Sequence, residues 1–223
     1  MVRKSSQPEI ECKRSTHRVA YFDAGLPADL AERLWHEPQS LVALGEPLRA
    51  NKARHTVLLS WQSQQFVLKH YNEHTWRHAL KQCVSPSRAW STWSTTHRLV
   101  AAGVATPRPV ACVENRWGVL RRDSFLMYPY VEGQTLRKCL LAEKRQHPTN
   151  AEHLWRQLSD LWRRLGQLRV SLADTNAGNF IIGPNGQLWV IDLDKARFHR
   201  VALVAAMQRN RGWQQLLRSV KKV

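Results

Sequence analysis

SLADTNAGNFIIGPNGQLWVIDLDKARF, residues 171–198, decides how the rest of the chain is read. Two apolar runs, NFII (179–182) and QLWVID (187–192), flank Gly183-Pro184-Asn185-Gly186. Pro presets its own φ and Gly accepts a positive one, so this tetrapeptide is a turn signal and the segment predicts a β-hairpin. In an antiparallel pair the start of one strand lies opposite the end of the other. Asn179 opens the first strand and Asp192 closes the second, so they are expected to meet at the open end. Asp174 lies in the loop just before.

An amide oxygen and carboxylates gathered in a basic protein suit Mg²⁺, which takes oxygen ligands, keeps several waters and completes its shell with phosphate. The chemistry that follows is phosphoryl transfer. Taken singly, each residue is equally suited to a humbler task, because Asp and Asn dominate turn caps and strand ends.

The charge balance points the same way. Against 34 Lys and Arg there are 17 Asp and Glu, a formal net charge of +17. That implies an anionic partner: nucleic acid, an acidic membrane surface or a phosphorylated substrate. The basic residues are spread along the chain, as for a charged face on a folded domain. A hydrophobic share of 43% and ten Trp exclude a wholly disordered chain. No apolar run approaches the roughly 20 residues that span a bilayer. The N-terminal MVRKSSQPEIECKRSTHR lacks the apolar core of a secretory signal, so a cytoplasmic protein is expected. Cys12, Cys83, Cys112 and Cys139 form no CxxC pair and are read as reduced thiols.

Residues 1–19 are expected to be a flexible basic arm. PADLAERLWH (27–36) predicts a short helix with Pro near its first turn. HTVLLSW and QQFVLKHY predict two strands joined at Gln62–Gln64, with a third strand near 47–50. Lys69 ends the run FVLK. Helices follow near 73–82 and over 87–102, and TPRPV enforces extended backbone. Cys112–Val113, Trp117–Leu120 and Ser124–Val131 read as short strands, and Glu132–Gly133 as a turn. Thr149-x-x-Glu152 has the form of a capping box, followed by Leu154, Leu158, Leu161, Leu165 and Leu168 at helical spacing. GWQQLLRSVKKV is a basic amphipathic helix, suited either to an anionic membrane through Trp213 or to packing on the protein. His70, His74 and His78 recur every four residues, but His70 belongs to the strand, which breaks any zinc-binding face. Trp90, Trp93, Trp155 and Trp162 sit at helical spacing and are read as core, so no nucleic-acid partner is expected.

Asp174-x4-Asn179, with Asp192 thirteen residues further on, has the catalytic-loop and metal-binding spacing of protein-kinase-like folds. Lys69 matches the lysine of the third small-lobe strand. More narrowly, SRAWSTWSTTHRLVAAGVATPRPVACVE (87–114), ADTNAGNFII (173–182) and VIDLDKARF (190–198) resemble the lipopolysaccharide core kinase family, bacterial enzymes that phosphorylate Kdo or heptose in the inner core. The resemblance runs from about Leu48 to the C-terminal LLRSVKK. It implies an α+β, two-lobed protein-kinase-like fold. A small antiparallel β-rich N-lobe would occupy 20–133, with a hinge at about 128–133, and a short, mostly helical C-lobe 134–223.

The resemblance also implies roles. Lys69 would hold ATP phosphates, and Asp174 would orient the attacking sugar hydroxyl and accept its proton. Asn179 and Asp192 would hold Mg²⁺, with Asp194 a second acid nearby. The hinge backbone at Tyr130 and Val131 would meet adenine. The implied activity is ATP-dependent phosphorylation of an anionic glycolipid, a lipopolysaccharide core precursor, at the inner face of the cytoplasmic membrane. Two departures keep open the alternative of a kinase-like protein that binds nucleotide or glycolipid without transferring phosphate. Leu172 stands where such loops carry His, and GEPLRANKARH (45–55) has one Gly where a Gly-rich phosphate loop is usual. Arg49, Lys52 and Arg54 are candidate substitutes for that loop, and Glu73 is a candidate partner for Lys69.

Overall fold

Two adjacent strands within residues 54–71, with buried side chains on both faces, set the frame of the first half of the chain. The structure is a computed structural model that describes residues 9–51, 54–72, 86–117, 120–143 and 151–221. The expected helix over 73–82, with Glu73, His74 and His78, lies outside the described residues, as do Lys52, Cys83 and Thr149. Two units are distinguished, Met1–Trp93 with Arg108–Tyr130, and Ser94–Pro107 with Val131–Val223.

The first unit is a seven-stranded antiparallel sheet in the order β1-β2-β6-β7-β5-β4-β3. Its strands are β1 (Ile10–Arg14), β2 (Arg18–Asp23), β3 (Glu46–Asn51), β4 (Arg54–Trp61), β5 (Gln64–Tyr71), β6 (Ala111–Trp117) and β7 (Leu120–Pro129). Successive side chains alternate between faces, and directly paired residues share one. Leu68 pairs with Met127, and Phe66 and Phe125 join them on the face covered by α1 (Ala28–His36) and α2 (Pro38–Leu44). Leu30, Leu34 and Leu41 from these helices are fully buried there, each stabilising by roughly 1.5–3 kcal/mol. Lys69, one residue along, pairs with Leu126 and faces the opposite side. There Leu126 and Tyr128 pack with Ala89 and Trp93 of α3 (Arg88–Ala101).

Three expectations change. The arm expected over 1–19 is strand from Ile10 onward, with Ile10 paired to Asp23 and Arg14 to Val19. Its side chains are almost all exposed, so this charged edge strand leaves no apolar alternation to read. The three short strands expected between 112 and 131 are two longer ones, β6 and β7, with a bulge between Glu114 and Arg116. Ser94–Pro107, expected in the N-lobe, groups with the second unit. The reason is packing: Leu99 and Val104 lie in the core of that unit, and the Val190 amide donates to the Ala105 carbonyl (3.0 Å).

A half-buried polar knot ties α2 to the sheet. Asp123 accepts from Asn115 (3.0 Å) and Gln39 (3.1 Å) and meets His70 Nε2 at 3.2 Å, while the His70 ring lies parallel to Phe125. Burial alone would raise the Asp123 pKa, but these hydrogen bonds outweigh it and hold the carboxyl well below the usual carboxylate range. A depressed folded pKa contributes stability that is present above the unfolded value, about 3.9, and is lost as pH falls below it. Acid titration of unfolding is therefore expected to be steeper below about pH 4 in the wild type than in Asp123→Asn.

In the second unit, α4 (Leu136–Glu143) and α5 (Ala151–Gln167) are followed by α6 (Ala202–Lys221). The leucine spacing on α5 is realised: Leu154, Leu158 and Leu165 are buried against Leu99, Phe180 and Leu216. The face of α6 that carries Trp213 and Leu216 turns inward. Trp213 packs edge-on against Trp162 at 4.8 Å between ring centroids, and Leu216 is fully buried. Packing on the protein, not a membrane, thus accounts for Trp213.

Candidate active site

The chain enters the site through β9 (Val170–Ser171), which pairs with β12 (Arg197–Phe198). Residues 172–176 form a loop that a single 3-10 turn, Ala177–Asn179, closes. Then come β10 (Phe180–Ile182) and β11 (Leu188–Val190), paired Phe180 with Val190 and Ile182 with Leu188. This is the expected hairpin. Gly186 takes φ +75°, and the Asn185 carboxamide accepts from the Gln187 amide, as the Pro-Asn-Gly turn requires. β8 (Gln134–Thr135) flanks β10 on its other edge.

The polar side chains of the loop divide their work. Asn176, not Asp174, caps the 3-10 turn, accepting from the Gly178 amide at 2.9 Å. Asn176 also donates its amide hydrogen to Asp174 Oδ1 (3.0 Å). The Asp174 carboxylate is therefore held in place by a neighbour and is not itself used as a cap. Asn179 is buried, and its Nδ2 donates to the Asp174 carbonyl (2.8 Å). Only the NH₂ end of an amide can donate, so this bond fixes which end is which and makes Oδ1 the acceptor end.

The Asn179 carbonyl accepts from the Ile191 amide (2.9 Å), which brings Asn179 beside the residue preceding Asp192. Asp192 adopts φ +61°, a left-handed conformation that costs a non-glycine residue of order 1 kcal/mol and persists only where the surroundings impose it. It turns the chain sharply at the end of β11. Asp174 and Asp192 line one pocket with Leu172, Thr175, Phe180 and Lys195. The structure thus brings Asp174 and Asp192 together and anchors Asn179 between their backbones. Among the described residues no three His, Cys, Asp or Glu side chains converge as a metal cage. The carboxylates of Asp174 and Asp192 that line the pocket are oxygen donors of the kind Mg²⁺ takes when phosphate supplies the rest of its shell.

Several residues that spacing does not reveal brace this loop. Thr175 Oγ1 donates to the Gly212 carbonyl (2.5 Å), and Ser219 Oγ accepts from the Ala177 amide (2.9 Å). Ser171 Oγ and His199 Nε2 lie 2.7 Å apart, and the His199 amide donates to the Arg169 carbonyl. Leu172, at the position where a His was expected by resemblance, is buried in the apolar core. The imidazole that supports the entry to the loop comes from His199 instead. These contacts join residues far apart in sequence, so no local pattern announces them.

Gly212 is where α6 and the loop approach most closely. A Cβ there would lie 2.7 Å from the Leu172 carbonyl oxygen and 3.5 Å from Thr175 Oγ1. Alanine would gain helix propensity of about 1 kcal/mol, but overpacking against a backbone atom costs about 1–3 kcal/mol. Gly212→Ala is therefore expected to lower the urea midpoint of unfolding, and a raised midpoint would refute the close approach.

In the first unit, Lys69 is buried at 6% exposure, with Nζ 5.4 Å from the centre of the Tyr128 ring. β5 continues two residues past it, to Tyr71. The Tyr130 amide donates to the Gln65 carbonyl (2.9 Å), and the Tyr130 side chain is exposed. Val131 is the first residue of its segment of the second unit.

The fold is an α+β, kinase-like one. A solved structure of WaaP in complex with acyl carrier protein superposes with a TM-score of 0.66 over 87% of this chain and 80% of that one, at 20% identity. The profile of the Lipopolysaccharide kinase (Kdo/WaaP) family matches residues 32–223. The chain belongs to that family.

Similar curated proteins carry the name 3-deoxy-D-manno-octulosonic acid kinase. One from Xylella fastidiosa is 29% identical over 125 residues, 56% of this chain and 47% of its own length. That from Photobacterium profundum is 30% identical over 97 residues, 44% and 39% of the two chains. That from Haemophilus influenzae is 28% identical over 114 residues, 49% and 45%. The chain thus matches about half the length of these relatives or less.

Proposed function

We propose that this chain transfers the γ-phosphate of ATP to a sugar hydroxyl of the lipopolysaccharide inner core, with Kdo the first acceptor to test and heptose the second. The observation that carries the reading is the pocket lined by both Asp174 and Asp192, with Asn179 hydrogen-bonded to the Asp174 carbonyl in the loop and to the Ile191 amide beside Asp192. Family membership and the names of the relatives support the same chemistry.

In this reading Asp174 accepts a hydrogen bond from the acceptor hydroxyl, orients it and takes its proton as the oxygen attacks. The new bond joins the sugar oxygen to the γ-phosphorus, the bond to the β-phosphate bridging oxygen breaks, and ADP departs. Asn179 Oδ1 and the Asp192 carboxylate would hold Mg²⁺, which would supply positive charge to neutralise that developing on the transferred phosphate. Lys69 binds phosphate as a point charge. The backbone at Tyr130 and Val131 forms the hinge that meets adenine. A minimal two-lobed enzyme of this kind, strongly basic and acting on an anionic glycolipid, belongs at the inner face of the cytoplasmic membrane. WaaP's complex with acyl carrier protein also makes that small protein a partner to test here.

The test is mass spectrometry of core glycolipid from cells with and without the chain, together with transfer from Mg·ATP by the purified protein. A mass increase of one phosphate on the core sugar is the expected result. The kinase-like reading without transfer is motivated by Leu172. It predicts a thermal shift on nucleotide binding with no change in glycolipid mass, and that outcome would replace the present one.

A further inference from the structure

The inward side of α6 is accounted for by Trp213 and Leu216, but its outward side is not. Among its exposed residues Leu203, Val204, Met207, Arg211, Arg218 and Lys221 recur at helical spacing on one face, with the uncharged Asn210 and Gln214 between them. Leu203 is 71% exposed, Met207 53% and Val204 43%, and Val201, just before the helix, is 58% exposed. Four of the ten large exposed hydrophobics among the described residues thus fall within seven positions. Scattered singly they would mean nothing, but a contiguous apolar patch marks a contact.

The electrostatics of the same segment are one-sided. From Lys195 to the C-terminus the sequence has eight Lys and Arg and no Asp or Glu. The outward face of α6 therefore runs from apolar at its start to basic at its end, along about 30 Å of helix. No helix among the described residues is long and apolar enough to cross a membrane. A basic, one-sided helix with a short apolar stretch instead lies in the plane of an interface. Its apolar side chains sink below the headgroups, and its cations meet lipid phosphate.

We infer that the outward face of α6 docks the protein on an anionic lipid bilayer, with Val201, Leu203, Val204 and Met207 inserted and Arg211, Arg218 and Lys221 paired with headgroup phosphates. This rests on the reading that the acceptor is a membrane glycolipid, and it names the surface that would bring the site to it. A bilayer fits better than a folded protein because this is a continuous convex helix face. Such a face has no groove to select a partner's shape, whereas its charge is complementary to the anionic leaflet as a whole.

The test is flotation of the full chain with vesicles of phosphatidylethanolamine and phosphatidylglycerol, compared with phosphatidylcholine alone. Binding is expected to the anionic vesicles only and to weaken with salt. Leu203→Asp combined with Met207→Asp should reduce it at least ten-fold. Arg211→Gln and Arg218→Gln should each reduce it about five-fold. All four positions are exposed, so thermal unfolding should not move.

Phosphate transfer to a deacylated, water-soluble core sugar should be unchanged in the Leu203/Met207 variant. Vesicle binding without any transfer would sink the proposed activity and leave the docking face standing. Three outcomes would overturn the docking face: equal flotation of wild type and variants, no flotation at all, or an intact face that instead pairs two copies of the chain or captures acyl carrier protein.

Discussion

Asp174→Asn is expected to lower ATP-dependent phosphate transfer by about 10²–10⁴-fold, the usual contribution of a positioned general base, while leaving the protein folded. Three contacts separate the two effects. The Asn176 side chain that touches the Asp174 carboxylate also caps the 3-10 turn at Gly178, and that cap does not need the carboxylate. The contact by which Asp174 supports Asn179 is made through its backbone carbonyl, which survives the substitution. The replacement is also isosteric, so the pocket keeps its shape. What is lost is the negative charge and the ability to accept a proton. The fall should therefore appear in kcat, with KM for ATP nearly unchanged, because an interaction made only in the transition state has been removed. Asp160→Asn is the control, an exposed carboxylate on α5 paired with Arg163 at the surface, and such pairs contribute roughly 0–1 kcal/mol at most. Full activity in Asp174→Asn would remove Asp174 from the chemistry.

The hairpin that carries the candidate residues was legible because its geometry is local. The Pro-Asn-Gly turn sets the register of the β10–β11 hairpin, and register alone carries Asn179 to the amide of Ile191, beside Asp192. The run FVLK placed Lys69 at a strand end, whereas β5 runs on to Tyr71 and the pairing with Leu126 sets Lys69 on the side of the sheet opposite Leu68. Three kinds of feature were illegible. The edge strand β1 buries almost nothing, so its sequence keeps no trace of pairing. The bracing of the loop by Thr175, Gly212, Ser219 and His199 depends on contacts across 28 to 42 positions of sequence, and no short-range pattern encodes those. Only the C-terminal half of α6, from Gly212, was visible as amphipathic; its start at Ala202 and the apolar outward residues there were not, and packing against Trp162, on a different helix, turns the Trp213 face inward. The hydrophobic pattern identified that half of the helix, and tertiary packing assigned its faces.

Phe180→Ala is expected to cost about 3–5 kcal/mol of stability, the range for emptying a fully buried aromatic site. Phe180 is completely buried, follows Asn179 directly, pairs with Val190 and lies 6.1 Å from the Trp162 ring. It is the residue through which the α5–α6 core grips the hairpin that carries the site. Loss of its ring leaves a void that Leu158, Leu172 and Val190 cannot fill without moving backbone that is tied by hydrogen bonds. With a urea m-value of about 2 kcal/mol/M, the midpoint should fall by roughly 1.5–2.5 M. Against a total of about 5–15 kcal/mol for a typical protein, that leaves the second unit marginal. Activity should fall as well, but it should recover when the assay is cooled or when ligand binding stabilises the folded form. Asp174→Asn allows no such recovery, so the two variants separate holding the site from performing its chemistry. A midpoint shift below about 0.5 M, equivalent to roughly 1 kcal/mol, would mean that Phe180 does not support the hairpin as the packing requires.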